Sequence, residues 1–308
     1  MPGVSKLLAV PNVSEGRDAA ALEAVASAFT ADNRAKLLDR HSDADHHRTV
    51  LTLAGRPGTL AHSLLQGAAA AVQRIDVMEG IDVMGAAPGK PRRGEHPHVG
   101  AVDVMPLVYL DPAMRGAACA EALLAADRIG SELGVPVFLY GELAGGRTRA
   151  DLRRGGPAGL GERMAKGEQR PDFGPLRMHP TAGATLVAAR EPLVAFNLEL
   201  APPATVEDAR RIAALIRAGG AQGLAGLRAI GLELRLGRTP PVAQVSLNVE
   251  RPLEVPLRTV VEAVRKHAEV ASAELVGLAP QAALEGFPTD VAMPAFDPER
   301  QVIEKALG

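Results

Sequence analysis

One succession of elements occurs twice along the chain, and that repetition limits the possible architecture more than any single motif. In the first half, Lys6–Val10 is a short apolar strand and Asp18 opens a helical run through Phe29. Lys36–Asp39 and Thr49–Leu53 read as strands, a helix runs from Gly58 to Ile75, and Val102–Leu110 is again a strand. The second half begins with a strand at Leu193–Leu200, then a helix from Thr205 to Ala218 with Val206, Ala209, Ala213 and Ile216 on one face. Gly219-Gly220 stops that helix. Strands at Leu227–Leu236 and Val242–Val249, a helix at Leu257–Val270 and a strand at Glu274–Leu278 follow. Strand-helix-strand-strand-helix-strand is the split βαβ order of ferredoxin-like domains. The sequence therefore predicts an α+β fold of two ferredoxin-like (βαββαβ) subdomains, residues 1–191 and 192–308.

Further elements lie between and after the repeats. Asp111-Pro112 is an N-cap followed by proline at the first helical position, and starts a helix to Leu133. Val135–Tyr140 is a strand, and Asp297-Pro298-Glu299 marks another helix start. From Tyr140 to Gly183 the pattern supports only a short helix near Gly159–Lys166. Loops of that length inside a domain commonly carry function.

A length of 308 residues suffices for two cores, and 47% hydrophobic with 23% charged residues is ordinary for a globular chain. A net charge of −2 and 3% aromatics argue against nucleic acid, which selects basic surfaces and stacking platforms. Cys119 is the sole cysteine, so neither an intrachain disulfide nor a cysteine-rich zinc site can form. Its alanine-rich surroundings suggest a buried, inert thiol. No apolar stretch reaches the roughly 20 residues that span a bilayer, and the start lacks a basic-then-apolar leader. A cytoplasmic protein without a membrane partner is expected.

Chemistry concentrates in Gly94-Glu95-His96-Pro97-His98-Val99-Gly100, just before the alternating strand. Pro97 fixes its own φ and pushes His96 out of the helical region, so the imidazole sits on a stiff loop at a strand entrance. Histidine is the side chain whose ordinary pKa lies near neutrality. A lone loop histidine is more often simply solvated, but this one has company. Val10-Pro11-Asn12-Val13-Ser14-Glu15-Gly16-Arg17-Asp18 ends the first strand, and Asp172-Phe173-Gly174-Pro175 precedes His179-Pro180-Thr181-Ala182-Gly183. Together with Val194-Ala195-Phe196-Asn197-Leu198 these segments resemble the formimidoyltransferase family over nearly the whole chain.

The resemblance implies a cytoplasmic homodimer with two sheets facing across a substrate channel. It also implies transfer of a formimidoyl group between N-formimidoyl-L-glutamate and tetrahydrofolate, a step in histidine breakdown. Tetrahydrofolate is then a co-substrate, and no metal is expected. By resemblance His96 takes the catalytic position. Glu95 beside it either orients the ring or faces water, and Asp39 and Asp43 on the intervening loop are placed to tune the histidine or orient the amidinium by charge attraction. Gly174, Pro175, Leu176, Arg177, Met178, His179, Pro180, Thr181, Ala182 and Gly183 match the folate-binding segment. Two prolines stiffen that strip, and its end glycines let backbone approach a flat ligand. Both reactants are anionic, and Arg48, Arg17 and Arg190 match basic positions able to grip carboxylates bidentately.

Some features depart from the family pattern. His98 stands where arginine is common, and residues 76–93 form an insertion with a near-duplication, Ile75-Asp76-Val77-Met78 and Ile81-Asp82-Val83-Met84. His41, His46 and His47 crowd one loop. Asp43, Asp45, His46 and His47 with Glu95, His96 and His98 would suit a metal-dependent amidohydrolase acting without folate. Adjacent histidines on a strand face opposite ways, which counts against a shared metal. A non-catalytic folate-binding protein is the remaining alternative.

Overall fold

The computed structural model describes residues 6–79, 97–235 and 240–308. The chain divides into two compact units, Met1–Arg190 and Glu191–Gly308.

The first unit contains, in order, β1 (Leu7–Ala9), β2 (Asn12–Val13), α1 (Ala19–Thr30), β3 (Ala35–Asp43), β4 (Arg48–Gly55) and α2 (Leu60–Arg74). After these come β5 (Val102–Val108), α3 (Arg115–Glu132), β6 (Val137–Leu139), α4 (Arg149–Arg153), α5 (Gly156–Ala165) and β7 (Thr185–Arg190). The strands β1 and β2 are two pieces of one extended run around Val10-Pro11, both lying between β4 and β5. The strand β3 pairs with the far side of β4, and β7 and then β6 extend the sheet beyond β5 in parallel.

Local chemistry explains these elements. The Asp18 carboxylate accepts the N–H groups of Ala20 and Ala21 at the start of α1, which meets two of the donors a helix leaves unsatisfied there. Leu22, Val25, Ala26 and Phe29 are buried at helical spacing. The Phe29 ring fits against Gly67 of α2, where a Cβ would lie 2.1 Å from a ring carbon. One sheet face, with Leu51, Leu53, Met105, Leu107 and Val187, packs on α1, α2 and α3. The other face carries Val104, Phe138, Leu186 and Ala188, which pack with Leu152, Leu160 and Met164 of α4 and α5. Each large apolar side chain fully buried contributes about 1.5–3 kcal/mol. Cys119 is half-buried on α3 rather than enclosed.

The second unit consists of β8 (Val194–Leu200), α6 (Val206–Ile216), β9 (Leu227–Leu234), β10 (Val242–Val249), α7 (Leu257–Arg265) and β11 (Val270–Val276). They form an antiparallel sheet in the order β11-β8-β10-β9, and the short helices α8 (Gln281–Leu284), α9 (Pro298–Gln301) and α10 (Ile303–Leu307) follow. Thr205 and Asp208 form a capping box at α6. Its buried stripe is Ala209, Ile212, Ala213 and Ile216, so Ile212 takes the place expected for the half-buried Val206. The helix α7 ends sooner than expected because His267 and Ala268 both turn their N–H groups back to the Val264 carbonyl.

The protein is thus α+β with two sheets. The short helix expected near Gly159–Lys166 is α5, which begins at Gly156 with Pro157 in its first turn. The helix α4, opened by a Thr148/Asp151 capping box, lies outside the expected elements. The strand β7 was not anticipated, because a parallel strand buried on both faces shows no polar alternation. Among the described residues, no helix is long and apolar enough to cross a membrane.

Candidate active site

Strand sense decides what gathers where. The strands β4, β5 and β7 all begin at one end of the first sheet, where β2 and β3 finish. Ser14, Asp43, Arg48, Gly100 and Gly183 therefore assemble at that end. Gly100 is the junction, bridged antiparallel to Gly183. Ala184 N–H donates to the Val99 carbonyl at 3.0 Å and Ala101 N–H to the Ala182 carbonyl at 2.9 Å. Ser14 Oγ donates to the Gly100 carbonyl at 2.7 Å, and Ser14 N–H to the Ala101 carbonyl at 2.9 Å. Three segments singled out in the sequence thus meet at one residue. His96 and Glu95 themselves lie outside the described residues, as does most of the 76–93 insertion.

The glycines at both ends of the 174–183 strip serve the fold. Gly174 has φ +80°, and a Cβ there would sit 2.8 Å from the Val135 carbonyl oxygen and 2.9 Å from Gly130 Cα. Gly183 has φ +68°, with the Val99 carbonyl oxygen 2.3 Å from a would-be Cβ. On the side where a Cβ would project, both glycines meet protein backbone. Carbonyls in the strip are also engaged: Thr181 accepts from Val77 N–H at 3.0 Å, and His179 and Gly183 exchange both backbone bonds. The His179 Nδ1 accepts the Ala182 N–H at 3.0 Å, which leaves the neutral ring's hydrogen on Nε2. Burial lowers its pKa. Met178 is buried, whereas Leu176, 67% exposed, stands clear beside exposed Arg177.

Register puts Asp39, His41 and Asp43 of β3 opposite Thr52, Val50 and Arg48 of β4, all on one face. That face is the reverse of Leu51 and Leu53, hence away from the three large helices. His46 and His47 sit in the turn between β3 and β4, in keeping with the loop reading, whereas His41 lies on β3, so the opposite-face rule for strand neighbours does not apply to the adjacent pair. They still face different partners. His46, 2% exposed, sets Nδ1 2.6 Å from Asp43 Oδ2 and donates its N–H to Oδ1 at 2.8 Å. His47 accepts the Gly16 N–H at 3.2 Å, next to Glu15, whose carboxylate also receives the Gly16, Arg17 and Asp18 N–H groups. Among the described residues, no group of three or more His, Cys, Asp or Glu side chains is arranged to hold a metal.

Burial alone would raise the pKa of Asp43, but the hydrogen bond and charge of His46 and the N–H groups of His46 and Asp45 outweigh it, giving about 2. A fall from 3.8 to about 2 corresponds to about 2 kcal/mol of stability. Because the folded value is depressed, that stabilisation is present above about pH 4 and is lost as pH falls through about 2. Asp43→Asn should therefore be less stable than wild type by about 2 kcal/mol at pH 6, with the gap closing toward pH 2 in denaturant titrations.

Burial and the like charge of Arg153 bring Arg48 down to about 10, against the pull of Asp103 and Asp43, so it stays cationic at neutral pH. Arg153 pairs with Asp103, whose Oδ1 also accepts the Val99 N–H at 2.8 Å. Arg149 lies 5.7 Å over the Tyr140 ring. The result is a cluster of three arginines and two aspartates, suited to anionic ligands. Sequence reasoning missed Asp103, Arg149 and Arg153, though an acid inside Val102-Asp103-Val104 was a visible anomaly. Of the other expected cations, Arg17 donates to the Ala44 carbonyl at 3.0 Å, at the rim of this cluster. Arg190 ends β7 at the opposite end of the sheet, about 20 Å from Gly183 at 3.3 Å per strand residue.

Residues 6–190, a span that includes the cluster and its junction, match the family profile of the formiminotransferase domain, N-terminal subdomain. The chain belongs to the formiminotransferase family. A relative in this family, the glutamate formimidoyltransferase of Streptococcus pyogenes serotype M1, is 33% identical over 311 residues, covering 97% of each chain. The glutamate formimidoyltransferase of Thermoplasma acidophilum is 31% identical over 285 residues, 89% of this chain and 88% of that one. The formimidoyltransferase-cyclodeaminase of Sus scrofa is 36% identical over 293 residues, 89% of this chain but 50% of that protein. The chain thus spans half the length of that larger formiminotransferase relative.

Proposed function

We propose that this chain is an enzyme of one-carbon group transfer, moving a formimidoyl group between N-formimidoyl-L-glutamate and tetrahydrofolate to give 5-formimidoyltetrahydrofolate and glutamate. The observation that carries this reading is the convergence of the Ser14, Gly100 and Gly183 segments beside Arg48, in a chain of this family. The reaction fits histidine degradation. The resemblance also supports a cytoplasmic homodimer, and the strand order of the second unit supports ferredoxin-like subdomains, the first with β7 and β6 appended.

Nitrogen 5 of tetrahydrofolate attacks the amidine carbon, forming a carbon–nitrogen bond and a tetrahedral species. The bond from that carbon to the glutamate nitrogen then breaks, provided that nitrogen gains a proton and nitrogen 5 loses one. His96, three residues before Val99, takes the first proton and returns it to the leaving amine. Such transfers contribute about 10²–10⁴-fold each. Alignment of the two reactants supplies most of the remainder, since effective molarities reach about 10⁵ M or more. Asp39 and Glu95 orient the amidinium and the imidazole. Arg48, with Arg17, holds substrate carboxylate, and Arg190 meets more distant charge. The half-buried Pro175, with the exposed Leu176 and Arg177, forms the part of the strip best suited to folate.

Glutamate release from formimidoylglutamate should depend strictly on added tetrahydrofolate. Equal release without folate would replace this reading with hydrolysis. Arg48→Met removes charged hydrogen bonds of about 1.5–3 kcal/mol, so KM for formimidoylglutamate should rise about 10- to 150-fold with a smaller change in kcat.

A further inference from the structure

We propose that Asp103 is a positioning residue for the transfer reaction, an inference that rests on the function proposed above. It ties the segment leaving the His96 loop to Arg153 and, through charge, to Arg48. Asp103 belongs to β5 and is 2% exposed, between apolar neighbours on a strand otherwise buried throughout. An ionised carboxylate there is costly unless both oxygens are satisfied. They are: Oδ1 accepts the Val99 N–H at 2.8 Å, and Oδ2 pairs with Nη2 of Arg153, a residue 50 positions away on α4. The Arg153 side chain is 14% exposed, so the pair is shielded from water.

Stability alone does not account for such a pair, because apolar residues of similar volume usually replace buried ion pairs without loss. What it does that apolar residues cannot is hold Val99 by its N–H while the Val99 carbonyl accepts from Ala184. Val99 is thereby clamped between β5 and the end of the 174–183 strip. The same carboxylate draws on Arg48 while Arg153 opposes it, so the pair also sets the charge around the proposed carboxylate grip. Removing Asp103 releases the histidine segment and leaves two arginines without a shared counter-ion.

The test compares wild type with the apolar pair Asp103→Leu/Arg153→Met, the amide pair Asp103→Asn/Arg153→Gln, and Asp103→Glu. The amide pair keeps a neutral acceptor for Val99, while Asp103→Glu keeps the ion pair but moves the acceptor by one methylene. The apolar pair should fold and lose at least 30-fold in kcat with KM changed less than threefold. The amide pair should return to within fivefold of wild type, and Asp103→Glu should lose at least tenfold. A folded apolar pair, or Asp103→Glu should the apolar pair not fold, with wild-type kcat overturns the proposal. Hydrogen exchange at the Val99 amide reads the clamp without turnover: it should quicken at least tenfold in the apolar pair and stay slow in the amide pair. Unchanged exchange overturns the clamp even where wild type turns over. A wild type without folate-dependent turnover overturns the proposed function instead.

Discussion

Replacing His96 with alanine lowers kcat for formimidoyl transfer by about 10²–10⁴-fold while the protein stays folded and still binds tetrahydrofolate. The size follows from what the ring is asked to do. Two nitrogens compete within one tetrahedral species, and collapse toward product needs a proton on the glutamate side and none on nitrogen 5. Without a shuttle, water must serve both steps. The turnover that remains comes from alignment, which alanine leaves intact. Folding should survive because the bonds closing the junction use the backbone of Val99, Gly100 and Ala101 and the Ser14 hydroxyl. The measurement pairs steady-state glutamate release with an equilibrium tetrahydrofolate titration and a thermal melt. A variant within threefold of wild-type kcat would remove His96 from the mechanism.

Gly100→Ala should be the most damaging small substitution in the first unit. An added Cβ would stand 1.8 Å from the Ala184 carbonyl oxygen and 2.9 Å from that of Ala182. Both obstacles are main chain, so no side chain can swing aside. The bridge to Gly183 must open, and with it the bonds between Val99 and Ala184 and between Ala101 and Ala182. Overpacking of this kind costs about 1–3 kcal/mol, a fall in Tm of about 2–12 °C for a unit of this size. Turnover should fall more steeply than stability, because the displaced backbone joins the histidine segment to the strip. Melts and kcat measured on the same preparation decide it. An alanine variant with both values unchanged would show that the bridge is not needed.

Much of the fold was readable from the chain, for identifiable reasons. Strands of the second unit alternate, and Thr205 with Asp208 marks the start of α6, so each of its six main elements was anticipated. The strand β7 was hidden by uniform burial. The helix α4 was hidden by its brevity, although Thr148-Arg149-Ala150-Asp151 carries a capping signal. For the site, the motifs themselves were legible, but their meeting was not. It needs the register of residues 14, 100 and 183, and no local pattern encodes separations that large. The Asp103–Arg153 pair was obscure for the same reason. Gly174 and Gly183 carry a packing role that no local pattern announces: Gly130, Val135 and Val99 occupy the space a side chain would need at each.

The double anchoring of that strip carries a kinetic consequence. Backbone contacts at Gly174 and Gly183 pin its two ends to the helix α3 and to the strand entrance, so its shape is settled before any molecule arrives. A planar partner landing on it sacrifices little loop entropy, and association should proceed in a single phase without a slow rearrangement afterwards.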